Sequence, residues 1–432
     1  MPEPVHIAAI DAGSNAVRLS VARAYSALDI EPLITERYPL RLGEGVFVRH
    51  RFSEDLLKKA VKAFRHLRGI MDEFGVTKYR AIATSATREA QNRDAMVRLV
   101  KQTSGVSLEV IGAREESRLG REAALAAVGP EVQPRCVVDL GGGSLELTIL
   151  RDHDVEQGVQ LPIGTVRLMT TLNLPGIIRP VQTEQVRRYV RALLESRLPK
   201  GPNLADQVAV ALGGNAETLS NVAPGPRQDG LPTLELPLLR DRMGDILKRD
   251  LRERLKTYGV RRDRADVMGI AAIVLLTLGR YLNVQRFLIP GVGIREGLLQ
   301  EIAREAFSRK EPHRYDDEAR QILIGTRTYG RRFEYDHRHA EHVRELSLML
   351  FDQLQAVHHL PHNPACSLRL APFSMMSATA SATAATTNTV NIWRSTEISR
   401  DSKGAIATLW APSSGITIAS QNPPATIPPT RP

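Results

Sequence analysis

Two short stretches constrain this chain more than anything else in it. "AIDAGSNAVRLSVA" carries Asp11-Ala-Gly-Ser-Asn15, and "VVDLGGGSLELTIL" carries Asp139-Leu-Gly-Gly-Gly-Ser144. In each, an apolar run ends in aspartate, a Gly/Ser turn follows, and a second apolar alternation returns. Short apolar alternations bounded by turn residues read as strands, so each stretch reads strand, turn, strand. A glycine loop that cradles phosphate usually leads from a strand into a helix; these lead from strand to strand. The unit occurs twice, which predicts two related domains facing each other.

The segments around them alternate strand and helix, so the expected fold class is α/β. "ITERYPLRL" reads as a further strand. "SEDLLKKAVKAFRHLRGIMDEFG" has Ser53 to cap it, apolar residues at helical spacing and Gly75 to stop it. "KYRAIATSATREA" and "LEVIGAREESRLGREAALAAVG" each run from strand into helix. "TEQVRRYVRALLESRL" and "LRDRMGDILKRDLRERLKTYG" read as amphipathic helices. "VAVALGGNAETLS" and "RFLIPGVGIREGLLQEIARE" each read strand, glycine turn, helix. "MGIAAIVLLTLG", bounded by Asp266 and Arg280, is shorter than the roughly 20 residues that span a bilayer and reads as a core helix.

The repeated motif has a chemistry. A glycine turn brings successive backbone N–H groups close to an anion, because no Cβ blocks the approach. An aspartate at the strand end cannot bind phosphate, but it can hold Mg²⁺ or orient water. Aspartate with a glycine turn therefore makes a metal-and-phosphate pair, present at Asp11 and again at Asp139; the third glycine pair, Gly213 and Gly214, is placed to close a cleft between them. Glycines in such positions also serve hairpin turns that need positive φ, but two copies plus a third turn favour the anion site.

Charge agrees with an anionic ligand. The formal net charge is +10 and the sequence pI about 9.8, which favours a polyanion. Aromatics make up 5% of the chain and none interleaves with a basic segment. That argues against single-stranded nucleic acid, which is held by stacking, and no nucleic-acid partner is expected. Two cysteines, Cys136 and Cys366, fit a reducing cytosol rather than a disulfide framework. The N-terminal residues lack a basic region before an apolar stretch. A cytoplasmic location without a transmembrane segment is expected.

Seven stretches in order carry a family resemblance: "AIDAGSNAVRLSVA", "AIATSATREAQN", "VIGAREESRLG", "VVDLGGGSLEL", "PIGTVRL", "ALGGNAETL" and "GVGIREGLLQ". The paired hairpins resemble the actin, Hsp70 and sugar-kinase superfamily, with its two ribonuclease H-like lobes and a cleft between. Within it, the ordered set resembles the exopolyphosphatase / guanosine pentaphosphate phosphatase family from residue 5 to about 305. The resemblance implies hydrolysis of a terminal phosphoanhydride. By motif position Glu116 would be the general base, with the adjacent Glu115 as the competing assignment. Asp139 and Glu146 would hold Mg²⁺, or Mn²⁺, or the attacking water, with Asp11 facing them from the other lobe. Arg88 would clamp phosphate oxygens bidentately. Ser14, Asn15, Gly142, Gly143 and Ser144 would donate hydrogen bonds. Inorganic polyphosphate and guanosine pentaphosphate are both implied as substrates and a homodimer as the assembly. The basic charge tips the choice to polyphosphate. The reading from a different class is a non-hydrolytic nucleotide-binding or sensor module, against which Glu116, Arg88 and Asp139 all stand.

The expected domains are 1–125 and 126–308 for the two phosphatase lobes, 309–371 for a helical region, and 372–432 for an irregular tail rich in Ser, Thr, Ala and Pro. "DHRHAEHVRELSLMLFD" resembles the first helix of an HD metal-hydrolase extension, with His339 as its first histidine. The His-Asp pair that should follow is missing. Read one nucleotide back, however, Met375-Met376 (ATG-ATG) forces an aspartate codon, and its neighbours permit Leu-Leu-His-Asp-Val-Gly-His. A frameshift near Ala371 and a genuine irregular tail are the two readings; sequencing the locus separates them.

Overall fold

The computed structural model describes residues 4–129, 132–198 and 202–307, with residues 343 and 346 beyond them. The helical HD-like region and the tail therefore lie outside the described residues.

The first half of the chain folds around one sheet. Strands β1 (Val5–Ala12), β2 (Val17–Ala24) and β3 (Ile30–Tyr38) form an antiparallel meander. After α1 (Val46–Arg49) and α2 (Glu54–Glu73), β4 (Lys78–Ala83) returns parallel to β1. Helices α3 (Ser85–Glu89) and α4 (Arg93–Ser104) lead to β5 (Leu108–Val110), parallel to β4, and then to α5 (Ala113–Val128). The strand order is β3-β2-β1-β4-β5. Ser53 caps α2 as expected, its side chain accepting from the Leu56 N–H.

The second half repeats this plan. Strands β6 (Pro134–Leu140), β7 (Leu145–Arg151) and β8 (Asp154–Leu161) form the meander. Then come α6 (Thr165–Thr171), α7 (Pro180–Arg197), β9 (Val208–Leu212), α8 (Gly213–Val222), β10 (Thr233–Glu235), α9 (Leu236–Lys248), α10 (Leu251–Tyr258), α11 (Arg262–Leu282), β11 (Arg286–Leu288) and α12 (Ile294–Phe307). The order β8-β7-β6-β9-β11 reproduces the first sheet strand for strand, with β10 added antiparallel at the edge. The duplication legible at the two aspartates thus extends to two ribonuclease H-like sheets.

Two helices cross the division between the halves. α5 ends the first half in sequence, yet Ala124 and Val128 pack with Val137, Leu150 and Val210 of the second sheet. α12 ends the second half, yet Leu298, Leu299 and Ile302 pack with Ile7, Ala9 and Ile82 of the first. Where the two helices cross, a Cβ on Gly297 would strike the Leu119 carbonyl. The sequence divisions 1–125 and 126–308 place α5 with the first sheet and α12 with the second; α12 packs across that division, and α5 spans it, its Leu119 lying with the first-sheet cluster.

α11 is by length and composition the one helix among the described residues apolar enough to cross a bilayer. It packs against α7, α8 and α9 in the core of the second lobe. The stretch "LRDRMGDILKRDLRERLKTYG" is two helices rather than one. Asp250 accepts from the Glu253 N–H, and Glu253 accepts from the Asp250 N–H, both at 2.8 Å. This reciprocal cap starts a new helix, which then buries Arg254 against the carbonyls of Ile246, Ala265 and Gly176. Asp250→Ala is expected to cost about 1 kcal/mol, read as a lower urea midpoint at unchanged slope.

Candidate active site

The two hairpins end in the same place. In the β1–β2 pair Asp11 stands opposite Arg18, and in the β6–β7 pair Asp139 stands opposite Glu146. The spacing is the same in both copies; the residue across the ladder is not. One hairpin therefore presents a carboxylate beside a guanidinium, and the other presents two carboxylates. A cavity of about 100 Å³ lies between them, walled by both tips, by the start of α8 and by Glu116 of α5.

The glycines are there for close approach rather than for a reversed turn. Gly13, Gly142 and Gly143 have no positive φ. A Cβ on Gly142 would come within 3.2 Å of the Asn15 amide nitrogen, and one on Gly143 within 2.6 Å of Ser14 Oγ. Side chains at these positions would wedge the two tips apart. Among the described residues no protein group accepts from the Gly142 and Gly143 amides, so both remain available to an anion. At the third glycine pair, Gly213 does take φ +77°; a Cβ there would also sit 3.0 Å from Asp139 Oδ1. Gly214 is crossed by the Arg264 guanidinium, which a side chain would displace.

Glu116, Glu146, Asp139 and Asp11 share this interior. Glu116 is 6% exposed and Glu146 5%. Gln160 on β8 bridges them, its amide donating to Glu146 at 2.6 Å and Glu116 at 3.5 Å. Burial, then the nearby Glu146 charge, holds the Glu116 carboxyl well above the usual range, against the pull of Arg88. Burial and the Glu146 and Asp11 charges push Asp139 up to about 7, although it faces the cavity and keeps part of its surface open. Asp11 is raised by burial, with Arg18 and Arg295 pulling the other way.

Glu115 and Glu116 separate cleanly. Glu115 points away from the cavity into a network with Arg118 at 2.8 Å and Arg80 at 3.2 Å, which Glu301 joins. Arg118 holds its carboxyl below the usual range. Ser14 reaches the cavity and pairs with Ser85 at 3.0 Å. The Asn15 side chain has partners of its own, accepting from Arg41 and donating to the Asp263 carbonyl. Arg88 differs most from expectation. One guanidinium nitrogen donates to the Ile111 carbonyl at 2.8 Å and to Glu116 at 3.1 Å. It stands behind Glu116 and does not line the cavity.

The arginines that do line the cavity are Arg18, Arg264 and Arg295. Arg18 had a legible signal: a charge alternating with core residues in "VRLSV", just beyond the turn. Arg264 had none, being one of several arginines in "RRDRADV". It is 6% exposed, and its Nη1 donates to Asn215 at 3.1 Å. Its buried Nε has no hydrogen-bond partner. Burial and the Arg18 charge pull Arg264 down to about 9. Asp263 stands 3.6 Å from Nε, and a buried guanidinium on the wall of a glycine-rich cavity is a place for an anion.

A divalent cation suits the opposite wall. Among the described residues no three His, Cys, Asp or Glu side chains converge at ligating distance. Mg²⁺ needs fewer, since it keeps several waters and is commonly bound by one or two carboxylates plus substrate phosphate. Asp139 and Glu146 are hard oxygen donors whose mutual repulsion a cation would relieve. Burial, with that repulsion added, has a measurable consequence. A carboxyl whose folded value is raised adds stability at low pH and loses it as pH climbs through the folded value. In EDTA the protein is expected to lose stability between about pH 4 and pH 8, and Asp139→Asn to flatten that loss. Melting curves of the two across the window check this; parallel curves would refute it.

Further contacts join the lobes around the site. Arg37 pairs with Asp263 and Arg41 with Asp266, both at 2.6 Å. Arg167 donates to the Gly143 carbonyl at 2.6 Å, pairs with Glu89, and lies 4.0 Å over the Phe47 ring. A Cβ on Gly164 would run into the Gly142–Gly143 backbone.

Comparison with known proteins agrees with this geometry. Residues 20–306 match the Ppx/GppA phosphatase family. Exopolyphosphatase 2 of Mycobacterium tuberculosis is 31% identical over 294 residues, covering 64% of this chain and 91% of the relative. A guanosine-5'-triphosphate,3'-diphosphate pyrophosphatase of Aeromonas hydrophila is 23% identical over 348 residues, covering 81% of this chain and 67% of the relative. The crystal structure of the Aquifex aeolicus Ppx/GppA family member superposes with TM-score 0.57 at 25% identity, over 72% of this chain and all of that one. With the duplicated sheets, the paired aspartates and the glycine tips, these similarities make the chain a member of the Ppx/GppA phosphatase family.

Proposed function

We propose that this phosphatase is an exopolyphosphatase, releasing the terminal phosphate of inorganic polyphosphate. The observation that carries the choice is the cavity wall. Glycines, hydroxyls, carboxylates and arginines predominate in it, and among the described residues no aromatic side chain lines it to stack a guanine ring. The basic net charge of +10 and the greater identity to an exopolyphosphatase than to a guanosine pentaphosphate hydrolase support the same reading.

In this reading Glu116, its carboxyl raised above the usual range by burial, accepts a proton from water. The water oxygen bonds to the terminal phosphorus as the bridging P–O bond breaks and the shortened chain leaves with the bond's electron pair. Arg88 holds Glu116 in place from behind. Arg18, Arg264 and the Gly142 and Gly143 amides face the charge on the phosphoryl oxygens. Asp139 and Glu146, with Asp11 opposite, would hold Mg²⁺ or Mn²⁺, which supplies charge neutralisation at the phosphates.

Phosphate release from polyphosphate and from guanosine pentaphosphate, measured side by side, tests the assignment. A larger kcat/KM on polyphosphate is expected, and excess EDTA should abolish turnover on both. Preference for guanosine pentaphosphate would overturn the substrate, and full turnover in EDTA would overturn the metal.

A further inference from the structure

We propose that the second lobe carries a separate site for linked phosphates, in the groove between α7, α9 and the C-terminal end of α11. The groove has a volume of about 760 Å³, inside the range of ligand sites, and shares no lining residue with the cleft. Five arginines line it: Arg187, Arg188 and Arg191 from α7, Arg240 from α9 and Arg280 from α11. A single carboxylate, Glu184, stands against them.

The α7 residues 184, 187, 188 and 191 fall on one helix face by spacing. Two of its arginines have carboxylate partners on that helix, Arg188 with Glu184 at 3.0 Å and Arg191 with Glu195 at 2.7 Å. The other three do not. Arg187 approaches only the sulfur of Met243, at 3.7 Å, and among the described residues no carboxylate pairs with Arg187, Arg240 or Arg280. Elsewhere on this basic protein exposed arginines commonly find an acid within a turn, as Arg68 finds Asp72 and Arg249 finds Asp245. Three unpaired guanidinium groups drawn from three helices into one concavity repel each other until an anion joins them.

The guanidinium fork matches phosphate bidentately, and several forks around one groove match several phosphates held in a chain. Nucleic acid fits less well. Single strands are held by bases stacked on successive aromatics, and the groove has one, Tyr281, whose hydroxyl donates to the Leu198 carbonyl. The ligand class is therefore the phosphate chain itself, inorganic or at the end of a nucleotide. Since the inference uses only the groove's own residues, it holds whatever the cleft hydrolyses.

Calorimetric titration of the full chain with inorganic tripolyphosphate, in EDTA and with phosphate release monitored to confirm that the ligand stays intact, tests this. Two sites are expected, the groove site weakening steeply with salt. Arg240→Gln with Arg280→Gln should leave the cleft site, which also reports that the variant is folded, and weaken the groove site by about tenfold per arginine. Arg240→Gln alone changes one exposed side chain and should give about tenfold. GTP binding the groove as tightly as tripolyphosphate would assign recognition to either kind of chain; a tenfold preference for tripolyphosphate would assign the inorganic one. One site in the parent protein, two unchanged sites in the double variant, or a DNA oligomer that displaces tripolyphosphate more strongly per phosphate would each overturn the proposal.

Discussion

Glu116→Gln is expected to lower kcat by about 10²- to 10⁴-fold, the usual cost of removing a general base, while Glu115→Gln stays within a few-fold of the parent enzyme. Glutamine keeps the size of the side chain and an acceptor oxygen but takes no proton from water. Glu116 is buried on the cavity wall, with Arg88 and Gln160 both donating to it. A neutral amide there leaves the cleft arginines and glycine amides in place, so KM should change little, and loss of one negative charge beside the phosphates should favour binding. Glu115, one residue earlier on α5, lies about 100° around the helix and is engaged with Arg80 and Arg118. Its loss removes part of a half-exposed ion network, worth about 1 kcal/mol of stability at most. Steady-state kinetics of both variants decide the matter. Turnover lost in Glu115→Gln and kept in Glu116→Gln would move the base by one residue; full activity in both would sink the hydrolytic reading of this cleft.

Gly164→Ala should be nearly as damaging, from a position that donates nothing to the chemistry. The added methyl group would meet backbone atoms of Gly142 and Gly143, which have no rotamer by which to step aside. The second glycine tip must then move, and with it the amides that face the anion and the carbonyl to which Arg167 donates. Overpacking of this kind costs about 1–3 kcal/mol, sometimes more, and shifting reacting groups by about 1 Å costs about 10²-fold in rate. We therefore expect a lowered melting temperature together with a kcat/KM reduced about 100-fold. Gly69→Ala is the control. It lies inside α2 with nothing within 4 Å of the new Cβ and should stabilise the protein by about 1 kcal/mol through helix propensity. Wild-type kinetics in Gly164→Ala would show that the two tips need not lie as close as they do here.

What the sequence determined by itself is local and periodic. The repeated Asp-to-glycine hairpin announced two related sheets, and Asp139 and Glu146 lie far enough apart in sequence to meet across one ladder and close enough to be read from it. Glu116 was legible only through the family resemblance, and then as one of two neighbouring candidates; taken alone, two acids in the first turn of a helix read as a solvated face. Helix periodicity gave α2 and α7, each depending on residues three or four apart, and a continuous apolar run too short to span a bilayer gave α11. The capping pair at Asp250 and Glu253, which divides α9 from α10, was also local and was outweighed by the continuous amphipathic pattern around it.

Tertiary structure decided the rest, because those features join residues that sequence spacing cannot relate. It separated Glu116 from Glu115 by directing one into the cavity and the other into an ion network with Glu301, far along the chain. It placed Arg88, expected at the phosphate, against Glu116 and the Ile111 carbonyl. It supplied Arg264, whose place in the cleft depends on α11 crossing Gly214, and Arg18, which completes the asymmetry between the two hairpins. It packed α12 on the first sheet and set α5 across both. It also gave the glycines of the second hairpin their physical reason: what excludes a Cβ at Gly142 and Gly143 is the other lobe, more than a hundred residues away in the chain, and no backbone angle of their own.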